Sequence, residues 1–579
     1  MTVRRTRALP ICATLVAALF LAGCETGIDP GPTPEPAVTR PNILWLVAED
    51  LSPIIPPYGD TTVETPNLSR LATEGIRYTN AFSVSGVCAP SRFTLATGVY
   101  STSAGAHHMR TQYNAAHLEA VGLTPYEVVP PPRVRMMSEV LRAHGYYATN
   151  NEKTDHQFAP TVTAWDASGP TATWRDRPPG APFFAVMNFV ITHEGQVWAG
   201  RVSCRTVRYY RLFGAAGEDP FDCAGSDAPF PDHVPEDAAV PVPPYLPDTE
   251  VVRRDLRRVY SNIVELDRQI GIVLDALESD GLLDETIIVF YADHGGPLPR
   301  QKRLLYDSGI RVPLIVRFPD GRGAGTVRER LVSFVDFAPT TFSLAGIAPP
   351  DYLEGTAFLG KHEGAPRDYV FAAADRLDAQ YDMIRAVRDR RYKYLRNFRP
   401  DQGYYLPVAY REQMGAMREL LRLRDAGGLD AVQAQWFRSS KPEEELFDTW
   451  NDPHETENVA ERPEFRAQLV ELRGALDEWM RETDDKGAWT EAELLESFWP
   501  GRVQPVTEAP VVTRRDGLVT LTSATEGAST GYRPAGSKSP WQVYAAPFEV
   551  GPGPEIEAIA HRIGFRPSGT VGLRLPSFR

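Results

Sequence analysis

Strand-like and helix-like segments alternate over residues 41–350, and this alternation constrains the fold more than any other feature of the chain. Residues 42–48 and 183–191 are continuous apolar runs of the length of a buried strand. A long amphipathic segment at 254–280 has helical periodicity and leads into a third such run at 286–292. The pattern predicts an α/β fold whose mostly parallel central sheet is covered by helices on both faces.

Paired polar residues follow these predicted strands directly. The pairs are Glu49-Asp50, His193-Glu194 and Asp293-His294. Open α/β sheets place their active sites at the carboxyl ends of the strands, so we expect these side chains to share one site. Several carboxylates in one pocket repel each other unless a cation binds them, and oxygen ligands favour Ca²⁺, with Mg²⁺ second, over zinc. For any single pair, a solvated or helix-capping role remains open.

Three basic residues belong to the same predicted edge of the sheet. Lys153 lies just past a predicted strand at 146–150, Lys302 shortly follows Asp293-His294, and Arg92 precedes a helix-like run. A bound cation together with Arg and Lys side chains suits a tetrahedral oxyanion, either phosphate or sulfate. For each basic residue alone, a solvated surface charge is the alternative. The net charge of −14 argues against a nucleic-acid partner, because binding to phosphates requires a basic face.

The first 24 residues have the pattern of a lipoprotein signal peptide. A basic start precedes an apolar run at residues 9–22 that is too short to span a membrane comfortably. The LAGC sequence at 21–24 resembles the bacterial lipobox, in which the cysteine, here Cys24, is lipidated; plain signal cleavage is the alternative. Residues 25–40 form a Pro-rich linker that suits an extended tether. We therefore expect export to the periplasm or cell surface and a membrane anchor at Cys24.

Export makes the five cysteines informative. Cys12 and Cys24 belong to the leader and its anchor. Cys204 and Cys223 lie in one polar, loop-like region, where an oxidising compartment permits a disulfide between them. Cys88 has no such role, and it is open whether it is a buried structural thiol or a reactive group.

The stretch Cys88-Ala89-Pro90-Ser91-Arg92 matches the C-x-P-S-R signature of the sulfatase family. The resemblance covers residues 40–480, through RPNILWLVAEDLSP, ETPNLSRLATEGIRYTNAF, IIVFYADHGGPLPRQKRLLYDSGIRVPLIVRFP and EEELFDTWNDPHETENVAE. It implies the alkaline-phosphatase-like α/β fold, with a catalytic domain over residues 41–365. Residues 366–500 are predicted to form a smaller α+β subdomain with a hairpin that turns near Asp389-Arg390 and a helix at 463–483.

Residues 504–579 have a different character. Short alternating runs separated by Gly, Pro and Ser clusters predict a small β-sandwich. The stretch GYRPAGSKSPWQVYAAPFEV resembles the C-terminal β domain of chitobiase-like enzymes. Packing on the catalytic domain and contact with glycan are both open for this module.

The resemblance implies that Cys88 is chemically modified. In sulfatases the cysteine of the signature is oxidised to Cα-formylglycine by a maturation enzyme, and the hydrated aldehyde is both a metal ligand and the nucleophile. Arg92 is expected to stabilise this hydrate. We expect a helix to begin after Ser91 and to direct its positive end toward the sulfate.

The resemblance also implies roles for residues at other positions that match the family. Lys153 and Lys302 resemble the sulfate-binding lysines, and His193 resembles the histidine that protonates the leaving group. The family often has a histidine where this chain has Asp155, so that role stays open, with His156 as a neighbouring candidate. The implied Ca²⁺ ligands are Glu49, Asp50, Cys88, Asp293 and His294.

A candidate substrate rim lies in and around the segment GAHHMR, residues 105–110. His107 or His108 could contact a sugar, with an ordinary structural loop as the alternative. The mixed polar and aromatic character of the set favours a carbohydrate over an apolar aryl group. The predicted rim residues are His107, His108, Arg110, Gln157 and Trp198.

These observations predict an exported, Ca²⁺-containing sulfatase that hydrolyses sulfate esters of a sulfated polysaccharide. Within the same superfamily, a sulfamidase that cleaves N–S bonds and a phosphodiesterase or phosphonate monoester hydrolase are the alternatives. A glycan-binding lipoprotein without activity is disfavoured because the implied ligands, Cys88, Arg92 and both lysines are all present.

Overall fold

The structure is a computed structural model that describes residues 40–112, 115–214, 221, 227–229, 232–549 and 555–573. The predicted leader, Cys24, the linker up to residue 39 and Cys223 lie outside these residues. None of the described helices is both long enough and apolar enough to cross a bilayer.

The described elements alternate along the chain as the sequence predicts. The strands are β1 Asn42–Ala48, β2 Gly75–Phe82, β3 Tyr147–Asn151, β4 Ala167–Ser168, β5 Phe183–Phe189, β6 Arg201–Ser203, β7 Asp227–Pro229, β8 Thr286–Ala292, β9 Arg311–Arg317, β10 Thr326–Ser333, β11 Val370–Ala374, β12 Ile384–Arg388, β13 Tyr392–Asn397, β14 Glu444–Asp448, β15 Val511–Arg515, β16 Leu518–Thr522, β17 Ser529–Pro534, β18 Gln542–Val543, β19 Phe548–Glu549, β20 Ile556–His561 and β21 Val571–Leu573. The α-helices are α1 Pro66–Glu74, α2 Cys88–Thr97, α3 Ala115–Glu119, α4 Met137–Ala143, α5 Gly195–Trp198, α6 Tyr209–Phe213, α7 Glu250–Ser279, α8 Asp307–Ile310, α9 Phe337–Leu344, α10 Gly415–Asp425, α11 Arg466–Glu482 and α12 Glu491–Phe498.

An eight-stranded sheet with the order β10-β2-β9-β8-β1-β5-β3-β4 forms the centre of the fold. Neighbouring strands are parallel, except where β9 pairs with β2 and β8, so β9 runs against the rest of the sheet. The predicted α/β class with a mostly parallel sheet is confirmed. The carboxyl ends of β3, β5, β1 and β8 therefore lie side by side at one edge.

In-register pairing brings the polar strand ends to the same level. Ala48 of β1 pairs with Phe189 of β5 and with Ala292 of β8. One residue further, the Glu49 N–H donates to the Phe189 carbonyl at 3.1 Å, and the Asp293 N–H donates to the Ala48 carbonyl at 3.0 Å. The predicted gathering of strand-end side chains is thus a direct result of strand register.

Aromatic side chains of the core pack against the strands that end at this edge. The Trp45 ring of β1 meets the rings of Phe184, Tyr291 and Phe337 edge-on, at centroid distances of 5.2, 5.4 and 5.9 Å. Each such pair adds about 0.5–1.5 kcal/mol to the stability that area burial provides. This packing therefore holds the strands in fixed positions relative to one another.

The helix predicted at 254–280 begins earlier, at Glu250. The reason is an N-cap: Thr249 has an extended backbone, and its hydroxyl accepts a hydrogen bond from the Val252 N–H at 3.4 Å. The residues that directly follow Thr249 have weak apolar periodicity. The prediction relied on periodicity and therefore placed the start of the helix too late.

Smaller antiparallel sheets complete the fold. The sheet β11-β12-β13-β14 contains the predicted hairpin, which turns between Arg388 and Tyr392, and α11 packs against it. The C-terminal strands form two further antiparallel sheets, β15-β16-β19 and β18-β17-β20-β21. The smaller α+β part and the C-terminal β-rich part agree with the predicted fold class, whereas the domain boundaries stay predictions.

The C-terminal part contacts α4 and the segment that follows β3. The Val162 N–H donates to His561 Nδ1 at 3.0 Å, and Arg142 Nη2 donates to the Trp541 carbonyl at 2.9 Å. Of the two roles left open for this module, packing on the catalytic part is therefore observed.

Candidate active site

Cys88 lies at the first position of α2, fully buried at the sheet edge. The residue before it, Val87, has an extended backbone and no side-chain cap. The prediction that the helix begins after Ser91 is wrong, because Pro90 is compatible with the first helical turn and does not delay its start. Cys88 itself therefore stands at the positive end of the helix dipole, where a negative charge is stabilised.

Polar groups surround the Cys88 thiol. Its Sγ lies 3.4 Å from His294 Nε2, 3.9 Å from Lys302 Nζ and 4.0 Å from Asp50 Oδ1. Burial raises the pKa of the thiol, but the nearby Lys302 and Lys153 charges outweigh burial and lower this pKa to about 6. A structural thiol buried among apolar neighbours lacks this environment.

Four buried residues offer ligand atoms within 4.8 Å of one another: Asp50, Cys88, Asp293 and His294. His294 Nε2 lies 2.9 Å from Asp50 Oδ1. Burial lowers the pKa of His294, but Asp293 and Asp50 raise it to about 10. Two of these four donors are carboxylate oxygens, which suit a hard divalent cation. The structure therefore brings together four of the five predicted ligands.

Glu49, the fifth predicted ligand, lies outside this group. Its Oε1 is 2.8 Å from Lys153 Nζ and 3.4 Å from Arg92 Nη2. Its Oε2 is buried without a hydrogen-bond partner among the described residues. A buried carboxylate oxygen without a partner is costly, so Glu49 has one oxygen free for a cation.

Arg92 is held by a network that sequence reasoning missed in part. Its Nε donates to Asp293 Oδ2 at 2.9 Å, and its Nη1 donates to Asn188 Oδ1 at 2.8 Å. Asn188 is fully buried in β5, and its amide donates to Asn150 Oδ1 at 3.2 Å. The sequence offered one indication of this network. Asn188 is an amide within an otherwise apolar strand, and a buried polar group needs a hydrogen-bond partner.

Glu194 was predicted to share the site as part of the pair His193-Glu194, but its role was not predicted. Its carboxylate accepts two hydrogen bonds from Arg303, at 2.8 and 2.9 Å, and lies 3.1 Å from Lys302 Nζ. Its backbone N–H donates to Asp50 Oδ2 at 2.7 Å. Lys302 Nζ in turn lies 2.5 Å from Asp50 Oδ2. Glu194 is thus a positioning residue that holds Lys302 between Asp50 and Cys88.

Replacing Glu194 with alanine is expected to lower the free energy of unfolding by about 3–5 kcal/mol, because Arg303 would keep a buried charge without its ion-pair partner. Glu194→Gln retains an acceptor and should lose less. Chemical denaturation measures both variants. The matched control is Glu478→Ala, whose side chain is 65% exposed, and it should stay within about 0.5 kcal/mol of the wild type. An unchanged unfolding free energy in Glu194→Ala contradicts the positioning role.

Gly86 lets the Cys88 and Lys302 segments approach each other. A Cβ at Gly86 would lie 2.5 Å from the Leu304 carbonyl oxygen. The Arg303 N–H also donates to the Gly86 carbonyl at 2.8 Å. A side chain at position 86 would therefore separate the thiol from Lys302.

His193 lies beside Asp50 and Glu194, with ligand atoms within 4.8 Å of theirs. Its Nδ1 accepts a hydrogen bond from the Gly195 N–H at 3.1 Å. In the neutral imidazole the proton is therefore on Nε2, which can donate it. Nε2–H is thus the ring donor available to a leaving group, and transfer of its proton in the predicted role as a general acid requires the imidazolium form.

Asp155 and His156 are the two residues considered for the missing histidine. Both lie in the loop after β3, but their surroundings differ. Asp155 Oδ2 lies 3.2 Å from Lys153 Nζ and 3.9 Å from Arg110 Nη2. His156 is buried, lies against Phe158 and lines an internal cavity behind Arg92. Burial lowers the pKa of His156 to about 3. Asp155 thus belongs to the charged network, and the role of the missing histidine stays unassigned.

His107 and His108 do not form an exposed rim. They are 3% and 4% exposed, and their rings contact each other at a centroid distance of 4.3 Å. Burial lowers the pKa of His107 to about 3. The amide of Gln157 binds the backbone of the same loop through the Ala106 carbonyl at 3.2 Å. The geometry supports the alternative of a packed structural loop.

Trp198 and Cys204 are the remaining predicted residues, and they lie in different parts of the chain. Trp198 ends α5 and meets the Tyr410 ring edge-on at 5.0 Å. Cys204 is buried and disulfide-bonded. Because Cys223 lies outside the described residues, the Cys204–Cys223 pairing stays a prediction.

A cavity of about 160 Å³, large enough for part of a sugar ring, adjoins the site through Glu194 and Arg303. Its wall includes Val87, the neighbour of Cys88. The lining residues are Val87, Met109, Arg110, His117, Glu194, Arg303, Leu377, Asp378 and Tyr410.

Comparisons with known proteins agree with this arrangement. The family model described as Sulfatase matches residues 41–347, and a model described as N-sulphoglucosamine sulphohydrolase, C-terminal, matches residues 300–407. The chain belongs to the sulfatase family. An ulvan-active sulfatase of Formosa agariphila is 51% identical over 92% of this chain and 91% of its own length.

More distant relatives include human N-sulphoglucosamine sulphohydrolase, 26% identical over 80% of this chain and 95% of that protein. The structure of BT4656 in complex with D-glucosamine-2-N,6-O-disulfate aligns with a TM-score of 0.52 and 17% identity, over 77% of this chain and 98% of that one. The structural likeness supports the alkaline-phosphatase-like fold. This sulfatase is therefore a sulfuric ester hydrolase, as the C-x-P-S-R motif predicts.

Proposed function

We propose that this sulfatase is exported and hydrolyses sulfate esters of a sulfated polysaccharide, using formylglycine at position 88 and a bound Ca²⁺. The observation that carries the chemistry is the position of Cys88: its Sγ lies within 4.0 Å of Lys302, His294 and Asp50, at the start of a helix. The observation that supports the substrate class is the 51% identity with an ulvan-active sulfatase.

The charges of the site suit a sulfate group. Each buried carboxylate has a cationic neighbour, so a divalent cation would leave an excess of positive charge. Lys153 and Lys302 flank the thiol position, and the positive end of α2 points to it. A tetrahedral oxyanion bound here would therefore meet positive charge from several directions. The paired groups are Glu49 and Lys153, Asp50 and Lys302, Asp155 and Arg110, Glu194 and Arg303, and Asp293 and Arg92.

The residues that would hold Ca²⁺ are Asp50, Asp293, His294 and the modified residue 88, with Glu49 contributing its unpartnered Oε2. When bound, the ion would polarise a sulfate oxygen and hold the residue-88 hydrate in its reactive ionisation state. Arg92 keeps Asp293 in place through its 2.9 Å hydrogen bond.

His193 supplies the proton that the leaving alcohol needs. Because the Gly195 N–H binds its Nδ1, the ring presents Nε2–H as the donor. Hydrated formylglycine at position 88 would supply one hydroxyl as the nucleophile toward sulfur and a second hydroxyl whose deprotonation would re-form the carbonyl as the C–O bond to sulfate breaks.

Removal of divalent cations is expected to abolish most turnover and to lower the melting temperature, because the folded protein would lose the ion that Asp50, Asp293 and the other proposed ligands would bind. At a metal concentration 100 times its Kd, binding adds about 2.7 kcal/mol of stability. Dialysis against a chelator followed by calorimetry and by addition of Ca²⁺ or Mg²⁺ measures both effects. A chelated protein that contains no metal by elemental analysis and keeps its full activity contradicts the Ca²⁺ proposal.

The substrate class is tested by sulfate release. The full chain, produced together with a formylglycine-generating enzyme, is incubated with ulvan, carrageenan, fucan, heparan and chondroitin oligosaccharides, N-sulfoglucosamine and a bis-aryl phosphate. We expect O-sulfate release, greatest from the ulvan series. Cleavage confined to N-sulfoglucosamine would favour a sulfamidase, to which the match at residues 300–407 relates the chain. Phosphodiester turnover above sulfate turnover would overturn the proposal.

Export and anchoring are part of the proposal, on the strength of the LAGC sequence and the Pro-rich linker. Fractionation of cells that produce the wild type and Cys24→Ala tests them. The wild type should be in the membrane fraction, and Cys24→Ala should not carry lipid. Recovery of unlipidated wild type in the soluble fraction contradicts anchoring.

A further inference from the structure

Two arginines line the cavity beside Cys88, and their hydrogen bonding differs sharply. Arg303 donates from both ends of its guanidinium to Glu194, at 2.8 and 2.9 Å. Arg110 Nη2 lies 3.9 Å from Asp155 Oδ2, which is beyond hydrogen-bond distance. Within the described part of the chain, the Arg110 guanidinium makes no hydrogen bond. Of the two arginines, Arg110 is therefore the one with donors to offer.

Asp155 cannot satisfy Arg110 by itself. Its Oδ2 lies closer to Lys153, at 3.2 Å, so its charge is shared. The Arg110 side chain is only 27% exposed, which limits the water that can bind its five N–H donors. Partly buried donors without acceptors are costly, and an anion in the cavity would supply acceptors in the planar geometry that guanidinium prefers.

The backbone at Arg110 is held in an unfavourable conformation. Its φ is +54°, a left-handed value that costs free energy for any residue with a side chain. Hydrogen bonds on both sides maintain it: the Met109 N–H donates to the Arg376 carbonyl at 3.0 Å, and the Thr111 N–H donates to Gln157 Oε1 at 3.1 Å. Strain that the surroundings enforce is typical of residues that contact a ligand.

We propose that Arg110 binds a second anionic group of the substrate, a carboxylate or a further sulfate on the sugar ring that carries the scissile ester or on the adjoining ring. This inference rests on the proposed function. Arg110 lines the same cavity as Val87, the residue next to the reactive position, so one saccharide can occupy both places. Arg110 is then a specificity-determining residue that selects polyanionic saccharides.

The test compares matched substrates. The sulfated oligosaccharide that the wild type hydrolyses best is prepared in three forms: unmodified, with its carboxylates reduced to alcohols, and with its non-scissile sulfates removed. The loss of kcat/KM in each modified form measures the preference of the wild type for that anion. We expect a preference of about 10- to 100-fold for one of the two anions, the range for a charge-assisted hydrogen-bonded contact.

Three variants then locate the preference. Arg110→Asn removes the charge with a residue that tolerates left-handed backbone, so the loop is kept. Its preference for the anion should fall toward one, mainly through KM. Arg110→Lys keeps the charge but not the planar fork, and it should retain part of the preference. The control is Arg322→Asn, at an exposed arginine outside the cavity, and it should retain the preference of the wild type.

The outcomes separate this inference from the proposed function. Equal turnover of all three substrate forms by the wild type would overturn the role of Arg110 while leaving the sulfatase assignment intact. A preference that persists in Arg110→Asn would do the same. If the wild type releases no sulfate from any saccharide while it cleaves aryl sulfates, the polysaccharide proposal fails and the anion contact fails with it.

Discussion

Cys88→Ala is expected to lower kcat/KM for sulfate release by about 10⁴-fold or more, the scale of loss when an enzyme loses its nucleophile. The alanine side chain fits the buried position at the start of α2, so the protein should fold. Its methyl group lacks the sulfur that the maturation enzyme needs to form the aldehyde. Lys302, His294 and Asp50 would still surround the position, so in a variant that keeps the metal content of the wild type the loss would report the missing nucleophile. Single-turnover and steady-state assays measure it.

Cys88→Ser is the informative companion. A serine hydroxyl can attack once but cannot expel sulfate by forming a carbonyl. Where the maturation enzyme leaves serine unmodified, we therefore expect at most one turnover per protein molecule. A stable fold with near-normal steady-state turnover in Cys88→Ala would refute the assigned role of position 88.

Lys302→Ala is expected to lower kcat/KM by about 100- to 1,000-fold, the range for loss of one preorganised electrostatic contact to a transition state. Lys302 Nζ lies 3.9 Å from Cys88 Sγ and 2.5 Å from Asp50 Oδ2. Burial lowers the pKa of Lys302, but Asp50 and its other neighbours raise it above the ordinary value, so the ammonium stays charged at neutral pH. Its removal deletes positive charge at the place where sulfate would bind.

The stability change should be smaller than for Glu194→Ala, because Asp50 keeps His294 at 2.9 Å as a neighbour. Lys302→Arg is the matched control for charge. It should recover part of the activity, although the longer side chain cannot place its charge at the same point. A kcat/KM unchanged in Lys302→Ala, with the metal content of the wild type, would remove Lys302 from the site.

Much of the fold and most of the site could be predicted because they follow from local patterns. Apolar runs of strand length gave β1, β5 and β8, and polar residues directly after them had to meet at one edge of a parallel sheet. The C-x-P-S-R motif then added Cys88 and Arg92. Both residues lie at that edge because α2 begins there.

What could not be predicted depends on pairing in three dimensions. Glu194 and Arg303 are 109 residues apart, and no periodicity connects them. Asn188 supports Arg92 from a strand that reads as apolar. His107 and His108 stand in a polar-looking segment yet are buried, because Gln157 binds the backbone of that loop and the Arg376 N–H donates to His108 Nδ1. Charge and polarity along a sequence do not tell which side of a loop faces solvent.

The most direct test of the account is the mass of the tryptic peptide that spans residues 78–92, measured on protein whose sulfate release has been assayed. We predict that the fraction of peptide with the aldehyde in place of the Cys88 thiol rises in proportion to turnover across preparations with and without the maturation enzyme. A fully active preparation whose peptide carries only the unmodified thiol would contradict the formylglycine mechanism.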